Sequence, residues 1–281
     1  MTPAEVSVAP GVTLAALQRQ PLLDPVDQRV LLCHALGVKR VALITQSERR
    51  LTADEAARLS ALFARRQRGE PVAYIVGERE FFGLPFAVGP AVLIPRPDTE
   101  LLVELALERL APRASLLDMG TGSGAIAVAL AHSRPDAAVS ALDVSAEALA
   151  LARRNAASNG ARVELLHSDW YAAVAGRRFD MIVSNPPYIA GGDHHLSEGD
   201  LRFEPAGALT DHADGLSALR RIVDDAAAHL TPGGWLLLEH GYDQAGAVRA
   251  LLDAQAYQEV RSWRDLAGVE RVSGARLGEG R

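Results

Sequence analysis

The chain has 281 residues, of which 48% are hydrophobic and 23% charged, and its formal net charge is −6. This composition is that of an ordinary globular protein, and it excludes a chain that is disordered, collagen-like or coiled-coil throughout. A net negative chain does not bind nucleic acid by charge alone, although residues 1–80 carry 11 basic and 9 acidic side chains.

Cysteine content and hydropathy limit the covalent links, metal sites and cellular locations that are possible for this chain. Cys33 is the only cysteine, so an intrachain disulfide and a cysteine-based zinc site are excluded. The N-terminus lacks the pattern of a signal peptide, and no apolar run approaches the roughly 20 residues that span a bilayer. We expect a cytoplasmic protein that binds no membrane.

Residues 1–70 form a predicted helical domain. Apolar residues recur at helical spacing in segments 12–20 and 27–36, and Thr52 begins a third helix. That helix ends at Arg65, Arg66 and Arg68, which we interpret as a solvated helix end, with contact to acidic RNA or protein as the alternative.

Residues 71–97 form a predicted β-hairpin linker. Segments 72–76, 80–82 and 86–88 have the composition of strands, and Gly77 and Gly83 separate them. Asp98 then has the position of an N-cap for a helix over 99–110.

Residues 98–281 form a predicted α/β domain with a Rossmann-like doubly wound parallel sheet, because strands alternate with helices. The predicted strands are 115–119, 138–143, 162–167, 179–184, 234–239, 259–263 and 270–273. The predicted helices are 124–132, 146–158, 216–230 and 243–254.

The first strand of this alternation runs directly into a glycine loop, which consists of Gly120, Thr121, Gly122, Ser123 and Gly124. Glycines let the backbone approach a ligand closely, and the following helix offers free N–H groups. The spacing G-x-G-x-G differs from the dinucleotide pattern G-x-G-x-x-G and favours S-adenosylmethionine as the ligand.

Two further signals follow later strands. Asp143 ends the next strand, 19 residues after Gly124, where an acid accepts hydrogen bonds from ribose hydroxyls. Asp169 and Trp170 follow the third strand, and either could flank an adenine. Together they indicate a nucleoside site at one edge of the sheet.

The sequence Asn185-Pro186-Pro187-Tyr188 directly follows an apolar strand. The prolines fix the backbone and remove N–H donors, so that carbonyl groups and the Asn185 side chain can accept hydrogen bonds. These acceptors and the Tyr188 ring suit a planar NH₂ group, whose nitrogen they would orient toward a methyl donor. The motif therefore predicts methyl transfer to an amide or adenine nitrogen.

These signals, in this order, resemble those of the S-adenosylmethionine-dependent amino-methyltransferases. Four more segments, at 77–86, 93–100, 202–205 and 237–241, resemble the release factor glutamine methyltransferase family. The resemblance covers most of residues 25–276, and this combination of motifs is specific to that family.

The resemblance implies methylation of the side-chain amide nitrogen of the glutamine in the Gly-Gly-Gln motif of class 1 peptide chain release factors. It also implies that the helical domain binds the release factor, and we expect a monomer without direct nucleic-acid contact. The cofactor residues implied are Gly120, Thr121, Gly122, Ser123, Gly124, Asp143, Trp170 and Asn185. The implied catalytic and substrate-binding residues are Asn185, Pro186, Pro187 and Tyr188.

Several candidates stay open at this point. Phe81 and Phe82 could form a wall of the substrate pocket or fill the core of the hairpin. Arg96 and Glu100 could pair near the site or serve helix capping, and Arg202 and Glu204 lie in a long loop of a length typical of lids or binding loops. His240 is interpreted as structural, and Asp193, His194 and His195 as solvated loop residues, so no metal site is expected.

The strongest alternative function is an adenine-N6 methyltransferase acting on DNA or RNA, since the same NH₂ chemistry applies. The net charge and the absence of an appended basic domain argue against it. A NAD-dependent oxidoreductase disagrees with the glycine spacing, and a binding module without activity disagrees with intact Asn185 and Asp143.

Overall fold

The computed structural model describes residues 6–255 and 257–279, and the chain divides into two compact units. We call residues 1–77 the helical unit and residues 78–281 the sheet unit. The three-part division at residues 70 and 97 stays a prediction.

The helical unit contains five helices in its described residues. They are α1 (Leu14–Arg19), α2 (Pro25–Leu36), α3 (Arg40–Thr45), α4 (Ala53–Gln67) and α5 (Val72–Val76). Thr52 caps α4 as predicted, because its hydroxyl accepts from Glu55 N while the Glu55 side chain accepts from Thr52 N. Leu31, Leu59 and Phe63 lie in the core of this unit.

The prediction of a strand over 72–76 is wrong, because these residues form helix α5. Pro71 precedes the helix, and Gly77 ends it in the left-handed conformation that favours glycine. Five consecutive apolar residues fit a buried strand and a buried helical turn equally, so periodicity could not separate the two.

The predicted hairpin exists but is shorter, with strands β1 (Glu78–Phe81) and β2 (Leu84–Ala87). They pair antiparallel around a turn at residues 82–83. The rings of Phe81 and Phe86 lie edge to face in the core of the sheet unit.

The remaining elements of the sheet unit alternate as predicted. The helices are α6 (Glu100–Arg109), α7 (Ala125–Ser133), α8 (Ala146–Ser158), α9 (Ala206–Leu209), α10 (Ser217–His229) and α11 (Ala245–Ala254). The strands are β3 (Ser115–Met119), β4 (Ala138–Asp143), β5 (Val163–His167), β6 (Phe179–Ser184), β7 (Leu230–Glu239), β8 (Gln258–Arg264) and β9 (Glu270–Arg276).

Asp98 does not cap α6 as predicted. A 3₁₀ turn over Pro97–Thr99 precedes this helix, and Asp98 lies within the turn. Its carboxylate lies 3.5 Å from the Arg271 guanidinium instead.

The seven strands form one sheet in the order β5-β4-β3-β6-β7-β9-β8. The first five are parallel, which confirms the predicted parallel doubly wound sheet, but β9 runs antiparallel to both β7 and β8, which the prediction did not include. Only five residues connect β8 to β9, and so short a connection joins antiparallel strands.

The strand order reverses between β3 and β6, since β3 has β4 on one side and β6 on the other. Ligands of doubly wound sheets bind at the carboxyl ends of the strands beside such a reversal. None of the helices in residues 6–255 and 257–279 is long and apolar enough to span a bilayer.

Candidate active site

A cavity of about 400 Å³ lies at the carboxyl ends of β3, β4 and β6. This volume is in the range of small-molecule sites. The predicted site residues that line it are Gly120, Thr121, Gly122, Ser123, Asp143, Trp170, Asn185 and Pro187. Among the described residues, the lining does not include Gly124, Pro186 or Tyr188.

The glycine loop contains two glycines that face open space. Gly120 and Gly122 have φ angles of +71° and +55°, and no atom lies within 4 Å of the position that a Cβ would occupy. Gly124 differs, because a Cβ there would come within 3.1 Å of the Ala152 Cβ on α8. Gly124 thus allows close packing of α7 against α8 rather than lining the cavity.

Asp143 is oriented by backbone groups on both sides. Its Oδ2 accepts a hydrogen bond from Gly122 N at 2.8 Å, and its Oδ1 accepts from Ser145 N at 2.9 Å. Carboxylate oxygens have further lone pairs, so the group can still accept bonds from two vicinal hydroxyls. The side chain therefore connects the glycine loop to the start of α8 at the edge of the cavity.

Asp118 supports the glycine loop through a hydrogen bond with Thr121. It is fully buried in β3, and its Oδ2 accepts from the Thr121 hydroxyl at 2.6 Å. Burial raises the pKa of this carboxyl to about 7, and the Thr121 hydrogen bond opposes that rise. Asp118, the acid that precedes the glycine loop in the sequence, thereby anchors Thr121.

Trp170 lines the cavity in a left-handed backbone conformation, with φ of +49°. The Ser168 hydroxyl donates to the Trp170 carbonyl at 2.6 Å and accepts from Ala173 N at 2.9 Å. A bulky residue adopts this φ only where its surroundings enforce it. Ser168 thus holds the indole at the cavity, and exposed Asp169 lines the same wall.

Asn185 lies at the opposite wall of the cavity. Its Nδ2 donates a hydrogen bond to the Thr99 hydroxyl at 3.2 Å. This bond does not involve Oδ1, which is the acceptor of the amide group. Just before it, Ser184 Oγ donates to the Met119 carbonyl and ties β6 to β3. The amide acceptor is therefore carried by a fixed strand end.

Tyr188 lies behind this wall and not on it. Its hydroxyl donates to Glu239 Oε1 at 3.3 Å, and its carbonyl accepts from the Gln244 side chain at 2.8 Å. Burial raises the pKa of this phenol above its usual value, so the group is an un-ionised donor. Its role as a wall for the substrate stays a prediction.

Arg96 lines the cavity and pairs with Glu204, not with Glu100. The buried Glu204 carboxylate also accepts from Ile94 N at 2.9 Å. Glu100 instead accepts from Phe82 N at 3.0 Å. The Glu204 side chain thereby holds segment 94–96 against the long loop after β6.

The other open candidates lie outside the cavity lining. Phe81 is buried in the core and Phe82 packs partly against it. Arg202 lies over the Phe203 ring. His240 is buried, with hydrogen bonds to the Gly241 carbonyl at 2.9 Å and Ser273 Oγ at 2.7 Å, in agreement with a structural role.

The sequence predicts solvated side chains in two places, the arginines at the end of α4 and the segment 193–195. Arg65 pairs with Glu70 and Arg66 with Asp27, so both contact acids of the helical unit. Ligand atoms of Asp193, His194 and His195 lie within 4.8 Å of one another, closer together than the sequence suggested. The absence of a metal site stays a prediction.

Sequence reasoning assigned no individual role to Thr99, Asn155 and Glu239, although each hydrogen-bonds a residue at or beside the cavity. Glu239 had the same signal as Asp143, since it is an acid at the end of an apolar strand. Asn155 is a polar residue on the buried face of α8, and such residues are hydrogen-bonded in folded proteins. Thr99 lies in segment 93–100, which carries part of the family resemblance, but a helix-start threonine is ordinary and did not indicate its contact with Asn185.

Two family models match the chain. The model described as the PrmC N-terminal domain matches residues 16–77, and that of the methyltransferase small domain matches residues 97–207. The first match coincides with most of the helical unit, and the second contains the glycine loop, Asp143 and Asn185.

Curated relatives match over nearly the whole length. A release factor glutamine methyltransferase of Burkholderia pseudomallei is 58% identical, over 94% of this chain and 96% of its own. The protein of the same name from Bordetella pertussis is 53% identical, over 94% and 99% of the two chains. A methyltransferase structure from Pyrococcus furiosus shares the fold, with a TM-score of 0.55 and 23% identity, over 78% of this chain and 99% of that one.

Proposed function

The chain belongs to the release factor glutamine methyltransferase family, and we propose that it methylates the glutamine of the Gly-Gly-Gln motif in class 1 peptide chain release factors. The methyl group comes from S-adenosylmethionine and is added to the side-chain amide nitrogen. The observation that carries the proposal is Asn185 at the cavity wall, with its amide oxygen available as an acceptor.

The residues of the cavity suit S-adenosylmethionine. Gly120 and Gly122 leave room where side chains would otherwise fill the loop, and Asp143 offers acceptors for the two ribose hydroxyls. Trp170 offers a flat apolar surface and Asp169 a carboxylate for the adenine. When bound, S-adenosylmethionine supplies an electrophilic methyl group on a sulfonium.

The protein's part in the chemistry is to orient a weak nucleophile. A carboxamide nitrogen is a poor nucleophile because its lone pair is delocalised into the carbonyl group. Asn185 Oδ1 accepts a hydrogen bond from one N–H group of the substrate amide. This bond orients the nitrogen and stabilises the positive charge that develops on it. Once the N–C bond has formed and the methyl–sulfur bond has broken, with its electron pair left on sulfur, the nitrogen is acidic and loses its extra proton to solvent, so no strong base is needed.

The charges around the cavity favour a protein amide over a nucleic-acid adenine. Its ionisable lining residues are Arg96, which is paired with Glu204, and three acids, namely Asp143, Glu147 and Asp169. Phosphate groups would be repelled by such a wall, since nucleic-acid affinity depends on basic side chains. An adenine-N6 methyltransferase remains the alternative that the experiment below must test.

The oligomeric state, the kind of partner contact, membrane binding and the cellular location remain predictions. We propose that the protein is a monomer, that it contacts the release factor through protein surfaces only, and that it binds no membrane. Release factors act on cytoplasmic ribosomes, so the proposed substrate agrees with a cytoplasmic location.

The test is methyl transfer from labelled S-adenosylmethionine to a purified class 1 release factor. We expect label on the wild-type factor, none on its Gly-Gly-Ala variant, and a loss of roughly a hundredfold in rate with Asn185→Ala. Label on duplex DNA or RNA, with none on the factor, would contradict the substrate and favour the adenine alternative.

A further inference from the structure

Glu239 lies buried beside the Asn185 motif. It is 1% exposed at the end of β7, where Ser184 of β6 pairs in register with Leu238. The next residues along the two strands, Asn185 and Glu239, are therefore neighbours at this edge of the sheet. No step of the proposed reaction uses this carboxylate, although a buried acid is costly unless other groups satisfy it.

Glu239 is short of hydrogen-bond donors. Tyr188 donates to its Oε1, while Oε2 has no partner among the described residues. Thr99 is 4% exposed, and its side chain opposes the rise in pKa, to about 7, that burial causes at Glu239. In its ionised form, this carboxyl attracts the single proton of the Thr99 hydroxyl.

The position of the hydroxyl proton determines whether Thr99 accepts a hydrogen bond from Asn185 or donates one to it. A hydroxyl has one proton and two lone pairs, so a Thr99 hydroxyl that donates to Glu239 can only accept from the Asn185 side chain. The amide must then present its Nδ2 to Thr99, as the 3.2 Å contact shows. The orientation of such an amide follows from its hydrogen-bond network, and here the network begins at a buried acid.

We propose that Glu239 and Thr99 are positioning residues that keep Asn185 Oδ1 turned toward the substrate amide. Without them, the Asn185 amide could rotate and present Nδ2, a donor, to a substrate NH₂ group that needs an acceptor. The inference rests on the proposed function, and it concerns the orientation of the acceptor and not the identity of the substrate.

Thr99→Val removes the hydroxyl and keeps the shape, whereas Thr99→Ser keeps the hydroxyl. We expect Thr99→Val to lower kcat for release factor methylation by roughly tenfold, as for the loss of one oriented hydrogen bond. The Kd for S-adenosylmethionine should stay within about twofold, and Thr99→Ser should restore most of kcat. Ser158→Ala, at an exposed position of α8 outside the cavity lining, is the control and should have no effect.

A double-mutant cycle separates positioning from general structural damage. If Thr99 acts through Asn185, Thr99→Val should add nothing to the loss caused by Asn185→Ala. The amide NH₂ group that Glu239→Gln introduces can donate a hydrogen bond to Thr99. This variant should therefore also lower kcat, and it too should add nothing to the loss caused by Asn185→Ala. Losses that multiply in the double variants would overturn the proposal.

A measurement without substrate keeps the inference separate from the proposed function. The Asn185 side-chain NH₂ signals, assigned by their absence in Asn185→Ala, should exchange slowly with solvent in the wild type and faster in Thr99→Val and Glu239→Gln. Unchanged exchange would contradict the positioning role, whatever the substrate. Faster exchange in an enzyme that does not methylate release factors would retain the positioning role and refute the proposed function.

Discussion

At the residue scale, the side chains that face the cavity are fixed before any ligand binds. Asp143 accepts from two backbone N–H groups, and Trp170 is held by Ser168 in a backbone conformation that bulky residues rarely adopt. Such preorganisation lowers the entropy that binding would otherwise cost. The site therefore owes its specificity to supporting residues as well as to those on its surface.

Asp143 provides the most direct residue-scale prediction. Asp143→Asn removes the charge and replaces one acceptor with a donor, so it should weaken S-adenosylmethionine binding by roughly ten- to a hundredfold. Isothermal titration calorimetry measures this Kd without any methyl acceptor. Asp253→Asn, an exposed change on α11, is the control, and equal affinities of the two variants would contradict the ribose role of Asp143.

The sequence predicted the positions of the site residues better than the direction of their side chains. Asn185, Asp143, Gly120 and Gly122 do line the cavity, whereas Tyr188 turns toward Glu239 behind it. A motif specifies which residues leave the end of a strand together. It does not specify which of them meets a ligand, because that depends on contacts with distant segments.

At the element scale, the hairpin, the glycine loop and α8 are joined by one side chain. Asn155 accepts from Ala87 N at 2.8 Å and donates to the Ala87 and Ser123 carbonyls. This residue is 1% exposed, so its bonds are shielded from water. The hairpin is thereby fastened to the loop that lines the cavity.

Asn155→Ala should therefore lower the free energy of unfolding by about 2–4 kcal/mol, because it leaves buried backbone groups of Ala87 and Ser123 without partners. Urea unfolding followed by circular dichroism measures this change. Ser158→Ala, at an exposed position of the same helix, should change stability by less than about 0.5 kcal/mol. Equal stability of the two variants would show that Asn155 does not carry this connection.

The elements themselves were predictable where sequence patterns are unambiguous. β3, β4 and β6 occupy the predicted residues, because each is an apolar run bounded by polar or glycine residues. Helix α5 was missed because five apolar residues fit two structures, which local sequence cannot separate. The antiparallel edge was missed although the short connection between the last two predicted strands indicated it.

At the scale of the whole molecule, the cavity and its supporting residues all belong to the sheet unit. The helical unit has its own core, and the family model that it matches is distinct from that of the methyltransferase segment. Under the proposed function, cofactor binding and chemistry therefore belong to the sheet unit. This division leaves recognition of the release factor as the proposed role of the other.

A chain limited to residues 78–281 should therefore bind S-adenosylmethionine with a Kd within about threefold of that of the full chain, since no cavity-lining residue is removed. Its kcat/KM for the release factor should fall by roughly tenfold or more, through a higher KM. Thermal unfolding of the shortened chain is the control for folding. An unchanged KM would contradict the proposed role of the helical unit.

The most direct measurement of the central claim is tandem mass spectrometry of a class 1 release factor after reaction with this enzyme and S-adenosylmethionine. We predict one added methyl group, located on the side-chain amide of the glutamine in the Gly-Gly-Gln peptide and formed roughly a hundredfold more slowly with Asn185→Ala. A methyl group on any other residue, or an unmodified Gly-Gly-Gln peptide with an enzyme that binds the cofactor, would contradict the account.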